Sequence, residues 1–100
     1  MSIIHKIKSW LPYKYLTEDE IVQAVYKSLT DLDKQHLTDT SYDRLIGFHS
    51  TAGRMIRNEY RLWDEKNPYT TANSSNDVNH PDQFSFRVIQ KVWLRLKEDQ

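Results

Sequence analysis

At 100 residues the chain has room for one domain, and its 14 Lys and Arg balance 14 Asp and Glu, so it lacks the overall positive field of a general nucleic-acid binder. The absence of cysteine excludes disulfides, thiolate metal sites and a cysteine nucleophile. No apolar run approaches the roughly 20 residues of a membrane span, and the first residues lack the continuous apolar core and cleavage site of a secretory signal.

Residues 2–11 read as a short amphipathic helix, with Ile3, Ile4, Ile7, Trp10 and Leu11 on one side and Lys6 and Lys8 beside them. Pro12 restricts Leu11 and ends it. The helix is short and weakly basic, which favours packing against the rest of the chain as an arm or lid over lying on an anionic membrane. Residues 1–16 form this arm and hold Lys6, Lys8 and Lys14 without an acid, whereas the stretch from Glu18 to Asp33 is acidic. The plainer reading of that asymmetry is solvated charge on separate faces.

A second helix is predicted over 17–33. Thr17 and Glu20 make a capping box, Leu16 and Ile21 a hydrophobic staple, and Glu18, Asp19 and Glu20 suit the positive end of the helix dipole. Its apolar stripe is Ile21, Val22, Val25, Leu29 and Leu32. Residues 34–40 form a polar connector from which Leu37 turns inward.

The longest helix is predicted over 41–63, capped by Thr40 or Ser41. Its stripe is Tyr42, Leu45, Ile46, His49, Ala52, Gly53, Ile56, Tyr60 and Trp63, and a second stripe, Phe48, Met55 and Leu62, lies to one side. So wide an apolar arc places this helix centrally, between two neighbours, or makes it an oligomer interface. Gly53 has no role in the helix itself, where it costs about 1 kcal/mol relative to Ala, and marks the close approach of another helix.

Residues 64–79 are polar and aperiodic. A loop of this length is usually functional or disordered, and Asn73-Ser74-Ser75, a glycosylation acceptor in form, is read as ordinary loop. The last helix, 81–97, has Pro81 in its first turn, Asn79 or His80 as cap and Asp82 at the favourable end. It buries Phe84, Val88, Ile89, Val92, Trp93 and Leu96, and Lys91, Arg95 and Lys97 complement its far end. The expectation is an all-α class: one domain over 1–100, three main helices, the N-terminal helix 2–11 and the long loop 64–79. A short strand pairing near 13–16 or 69–78 remains open.

Three constellations carry possible chemistry. Arg54, Arg57 and Arg61 share a helix face and could grip phosphates or a carboxylate-rich partner, although most such rows are solvated. His49 lies on the apolar stripe, where an imidazole is usually a satisfied core group. Arg57, Asn58, His80 and Asp82 can form a polar clamp holding the last helix and the loop to the central helix. The sharper alternative makes His49 and His80 an acid–base pair with Arg57 as anion stabiliser, but buried polar networks more often fix geometry than catalyse. A metal site on His49, His80 and Asp82 needs three dispersed ligands to converge, so none is expected, and no phosphate loop, His-Glu-x-x-His or nucleophile elbow points to a cofactor or a known hydrolase.

Arg57-Asn58 resembles the arginine–polar pair of helical HEPN ribonucleases. Their motif places a histidine a few residues further on, where this chain has Leu62, Trp63 and Asp64, so that activity does not carry over. The segments Phe48-His49-x-x-x-Gly53-x-x-Ile56-Arg57-Asn58-x-Tyr60-x-Leu62-Trp63 and His80-Pro81-Asp82-x-x-Ser85-x-x-Val88-Ile89-x-x-Val92-Trp93-x-x-Leu96 together resemble a family of small bacterial and phage-associated domains of unknown function. The resemblance covers residues 45–96 and leaves out the first 40. It implies a cytoplasmic bacterial or mobile-element protein and a central helix that acts with the His-Pro-Asp helix start.

The function expected is a non-catalytic adaptor or regulatory domain that binds another protein or itself as a homodimer, through Phe48, Met55 and Leu62 or through the arginine row. The alternatives are a small hydrolase or nuclease-like effector using His49, Arg57, His80 and Asp82, and nucleic-acid binding through Arg54, Arg57 and Arg61. Nucleic acid and membrane surfaces rank below protein as partners.

Overall fold

A computed structural model describes residues 13–100 of the chain, and the helix expected over 2–11 lies outside the described residues. All regular structure among them is helical. Residues 13–16 and 69–78 form no strand; one backbone hydrogen bond, from Thr71 N–H to the Asn79 carbonyl at 3.0 Å, crosses the second region.

The stretch expected as one helix over 17–33 is two. Helix α1 (Glu18–Ser28) starts at the capping box: the Thr17 hydroxyl accepts from Glu20 N–H at 3.2 Å and the Glu20 carboxylate from Thr17 N–H at 2.9 Å. It stops at Leu29, which is extended, and Thr30 opens helix α2 (Asp31–Thr38) with a second capping box, closed by Asp33. Thr30-x-x-Asp33 is the same device with a shorter acid, and it restarts the helix because it satisfies two amides that have no intrahelical partner. The supposed connector 34–40 is therefore mostly helix. Leu32, expected in the buried stripe, is 78% exposed, whereas Leu37 packs against the core.

The third helical stretch has three geometries in succession: a 3-10 segment (Tyr42–Phe48), a π-helical segment (His49–Gly53) and the α-helix α3 (Arg54–Glu59). It ends four residues before the expected boundary. Tyr60 caps α3, Arg61 takes a left-handed conformation (φ 53°), and Leu62 N–H donates back to the Arg57 carbonyl at 3.0 Å. This is the Schellman ending with arginine in the position glycine usually holds. The Arg61 guanidinium lies over the Tyr13 ring, 4.0 Å from its centroid.

Residues 64–79 are fastened by their own polar side chains. Asn67 is buried; its amide donates to the Arg61 carbonyl and its oxygen accepts from Tyr69 N–H, while the Thr70 hydroxyl donates to the Leu62 carbonyl. Such side-chain to backbone bonds replace the apolar burial the loop lacks.

Helix α4 (Pro81–Glu98), not the third helix, is the hub: among the described residues it touches every other helical segment. Phe84, Val88, Ile89, Val92 and Leu96 meet Ile21 and Val22 of α1, Leu45, and Ile56 of α3 in the core, which Leu62 completes. Trp93 is half-buried and donates to the Thr40 carbonyl at 2.8 Å. Arg87 donates to the Glu18 carboxylate at 3.0 Å and to the Val78 carbonyl, tying α1 and the end of the loop to α4. Lys91 adds a 2.6 Å contact to Glu18. Burial works to raise the Glu18 pKa, but the hydrogen bonds from Arg87 and Lys91 outweigh it and hold the carboxyl below its ordinary value.

Candidate functional site

Arg57 of α3 is buried, 7% exposed, so its charge needs partners. Nη1 donates to Ser85 Oγ at 2.9 Å and Nη2 donates to the His49 carbonyl at 2.9 Å. Nε lies 3.6 Å from Asp82 Oδ1. Ser85 is fully buried and its hydroxyl donates to the Asp82 carbonyl at 3.1 Å. The guanidinium thus joins the π-helical turn to the first turns of α4 through a hydroxyl, a carbonyl and a carboxylate.

Gly53 provides the space. A Cβ there would stand 2.9 Å from Arg57 Nη1 and 3.3 Å from the Phe48 carbonyl oxygen, with Ile89 at an ordinary 3.7 Å. The glycine therefore serves first the guanidinium of its own helical stretch and only second the neighbouring helix.

The two histidines flank Asp82. His49 Nε2 is 3.9 Å from Asp82 Oδ1, and His80 Nδ1 is 3.8 Å from Oδ2. His80 is the N-cap of α4: its Nδ1 accepts from Asp82 N–H at 3.2 Å, which places the ring proton of the neutral form on Nε2. The ring stands edge-on to Trp63, with centroids 5.1 Å apart. Pro81 follows at the first helical position, where the missing N–H does no harm.

His49, Arg57, His80 and Asp82 thus meet at one junction, but they do not surround an open cleft. Both terminal nitrogens of Arg57 donate inside the protein, the Nδ1 of His80 is used by the cap, and the Ser85 hydroxyl at the junction is inaccessible. Only Asp82 and His49 have substantial exposure, 45% and 39% of the side chain. No three His, Cys, Asp or Glu side chains among the described residues are grouped to hold a metal ion.

Other sequence candidates separate. Asn58 is exposed. The arginine row is divided: Arg54 is exposed, Arg57 is internal, and Arg61 lies past the helix end against Tyr13. The second stripe is divided too, with Leu62 fully buried in the core, Phe48 half-buried edge-on to His36, and Met55 67% exposed.

Phe48 and Met55 instead line a groove of about 430 Å³ between the α1–α2 pair and the third helical stretch. Val25, Leu29, Leu37, Ala52 and Ile56 are further apolar residues of its lining, and exposed Asp33, His36 and Glu59 join them. Tyr60 lines the groove at the α3 end; burial raises its phenol pKa, and Glu59 and Tyr13 nearby add to the shift. The groove depends on the break at Leu29, which turns α2 away from the line of α1, so reading 17–33 as one helix hid it. Recognising Thr30-x-x-Asp33 as a helix start would have been the signal.

These features define a small all-helical domain with a buried arginine junction on one side of the hub helix and an apolar groove beside α3. No helix among the described residues is long and apolar enough to cross a membrane. The chain belongs to the family DUF6794, a domain of unknown function, whose match spans residues 18–96. The match takes in α1 and α2, well beyond the resemblance over 45–96. No curated protein and no solved structure shows significant similarity to the chain.

Proposed function

We propose that this chain is a non-catalytic protein-interaction domain that takes an amphipathic helix with a basic flank into the groove beside α3. The observation that carries this reading is Met55, a large apolar side chain 67% exposed on the wall of a 430 Å³ apolar groove. Methionine adapts its shape to an incoming apolar surface, and helix-in-groove recognition uses this kind of site. Among the described residues Asp33 and Glu59 line the groove and no Lys or Arg does, so the favoured flank is basic. The arginine junction serves as the clamp that sets the third helical stretch against α4. Against the hydrolase alternative stand its anion stabiliser, Arg57, which is buried and bonded to Ser85 and the His49 carbonyl, and the Nδ1 of His80, which the helix cap uses; the nucleic-acid alternative has no continuous arginine row. A bacterial or phage-associated origin and a cytoplasmic location rest on the resemblance of the two helix motifs alone.

The test is a titration of the protein with a synthetic amphipathic helix that carries leucines along one side and lysines beside them, followed by NMR. The expected result is saturable binding with shifts concentrated at Val25, Leu37, Ala52, Met55 and Ile56. Binding should weaken with glutamate flanks and with Met55→Glu. Shifts that centre elsewhere, or indifference to both changes, would reject the groove as the contact.

A further inference from the structure

Helix α4 is capped by a ring nitrogen: His80 Nδ1 accepts from Asp82 N–H at 3.2 Å. The usual N-cap side chains offer an oxygen that accepts throughout the neutral range. An imidazole accepts only while it is neutral, because protonation makes donors of both ring nitrogens. Histidine is also the side chain whose ordinary charge change falls between about pH 5 and 8. The start of α4 is therefore held by a bond that a single proton removes.

The groups around the ring decide what replaces that bond. On α4, Asp82 Oδ2 stands 3.8 Å from His80 Nδ1. On the third helical stretch, Arg57 Nε and His49 Nε2 lie 3.6 and 3.9 Å from the other carboxylate oxygen, Oδ1. On the loop, the Asp77 carbonyl accepts from His80 N–H, and the Asp77 carboxylate accepts from Asn79 N–H at 2.7 Å. His80 is 9% exposed and edge-on to Trp63, which holds the ring in place. The Asp82 carboxylate is the partner free to shift. It is 45% exposed, and Arg57, His49 and His80 all lie beyond hydrogen-bond length from it, so none of them commits it. An imidazolium on its Oδ2 side competes with the guanidinium on its Oδ1 side.

We propose that His80 is a proton-operated latch: in mild acid it releases Asp82 N–H, draws the Asp82 carboxylate away from Arg57, and loosens the clamp between the third helical stretch and the first turn of α4. Arg57 keeps Ser85 and the His49 carbonyl, and Phe84, Val88, Ile89 and Val92 keep α4 in the core, so the change is confined to the junction. Protonation of His49 adds a second competitor for the same carboxylate but leaves the cap intact. The latch is independent of what the groove binds.

The full-length chain, isotopically labelled, is followed by NMR from about pH 8 to about pH 5. The His80 ring should start in the Nε2–H form and take up a proton on Nδ1 within this range. The Asp82 amide and the Arg57 Nε–H resonances should move with the same midpoint. Protection of the Asp82 amide from hydrogen exchange, corrected for the intrinsic effect of pH, should fall about fivefold, the size of a typical N-cap contribution. His80→Asn supplies an acceptor that does not titrate, so the step in the Asp82 amide should vanish; His49→Gln should leave it in place. Asp82→Asn should keep the step in its own amide and abolish the one at Arg57 Nε–H. A His80 ring that stays neutral throughout, or that titrates without moving the Asp82 amide, would overturn the proposal, and the natural protein alone gives either result. So would an amide step that survives His80→Asn or disappears in His49→Gln. An Arg57 response unchanged by Asp82→Asn would overturn the transfer of the carboxylate.

Discussion

A methyl group on Gly53 would stand 2.9 Å from Nη1 of Arg57, one turn further along the same helical stretch. The guanidinium has little freedom to retreat, because Ser85 and the His49 carbonyl hold it at 2.9 Å each. Gly53→Ala therefore sets a helix-propensity gain of about 1 kcal/mol against strained charge-assisted hydrogen bonds worth roughly 1.5–3 kcal/mol each. The expected outcome is a net loss of about 1–2 kcal/mol in urea denaturation. A variant more stable than the natural protein would show that the side chain moves aside freely.

The clamp predicts unequal effects at its two charged ends. Arg57→Ala leaves the buried Ser85 hydroxyl and His49 carbonyl short of a donor and opens a cavity, for a loss of roughly 2–4 kcal/mol. Asp82→Asn removes a carboxylate that is 45% exposed and 3.6 Å from the arginine, so it costs under about 1 kcal/mol. Comparable large losses would mean that the ion pair dominates the junction.

Met55 and Leu62 are matched in size but not in place, at 67% and 0% exposure. Leu62→Ala should lose about 2–4 kcal/mol, the usual range for a core truncation. Met55→Ala should change stability by less than about 0.5 kcal/mol while weakening capture of a helical peptide. Paired thermal melts and titrations separate the two.

Stability should fall on both sides of neutrality. Tyr15 hydrogen-bonds to Asp64 and holds its carboxyl low, and the Thr30 backbone does the same for Asp33. Glu18 also lies below its ordinary value, for the reasons given above. A depressed folded pKa contributes stability that is complete above the unfolded values, 4.5 for Glu and 3.8 for Asp, and is lost as pH falls through the folded ones. Lys91, raised from 10.5 chiefly by its hydrogen bond to Glu18, works in the opposite sense: its contribution is complete below that value and is lost as pH rises through the folded one. Urea midpoints should be level near neutral pH and drop below about pH 4, and Glu18→Gln should flatten both limbs. An unchanged acid limb in that variant would remove Glu18 from the account.

What the sequence determined by itself is the local part. The all-helical class, the start of α1 at Thr17, and Pro81 with Asp82 opening α4 depend on residues within about four positions of one another, where capping and periodicity act. The pairing of Arg57 with Asp82 was legible as a possibility because an aspartate at a helix start can accept from an arginine; that this arginine is buried was not. Tertiary structure decided the rest. The last helix rather than the third became the hub, the stretch 42–53 left α-helical geometry, and Phe48 and Met55 faced a groove while Leu62 entered the core. Each of these turns on contacts between distant residues, such as Arg57 with Ser85 or Trp93 with Thr40. A local pattern records that a side chain is apolar or charged; which neighbour removes it from water is settled only when the helices pack.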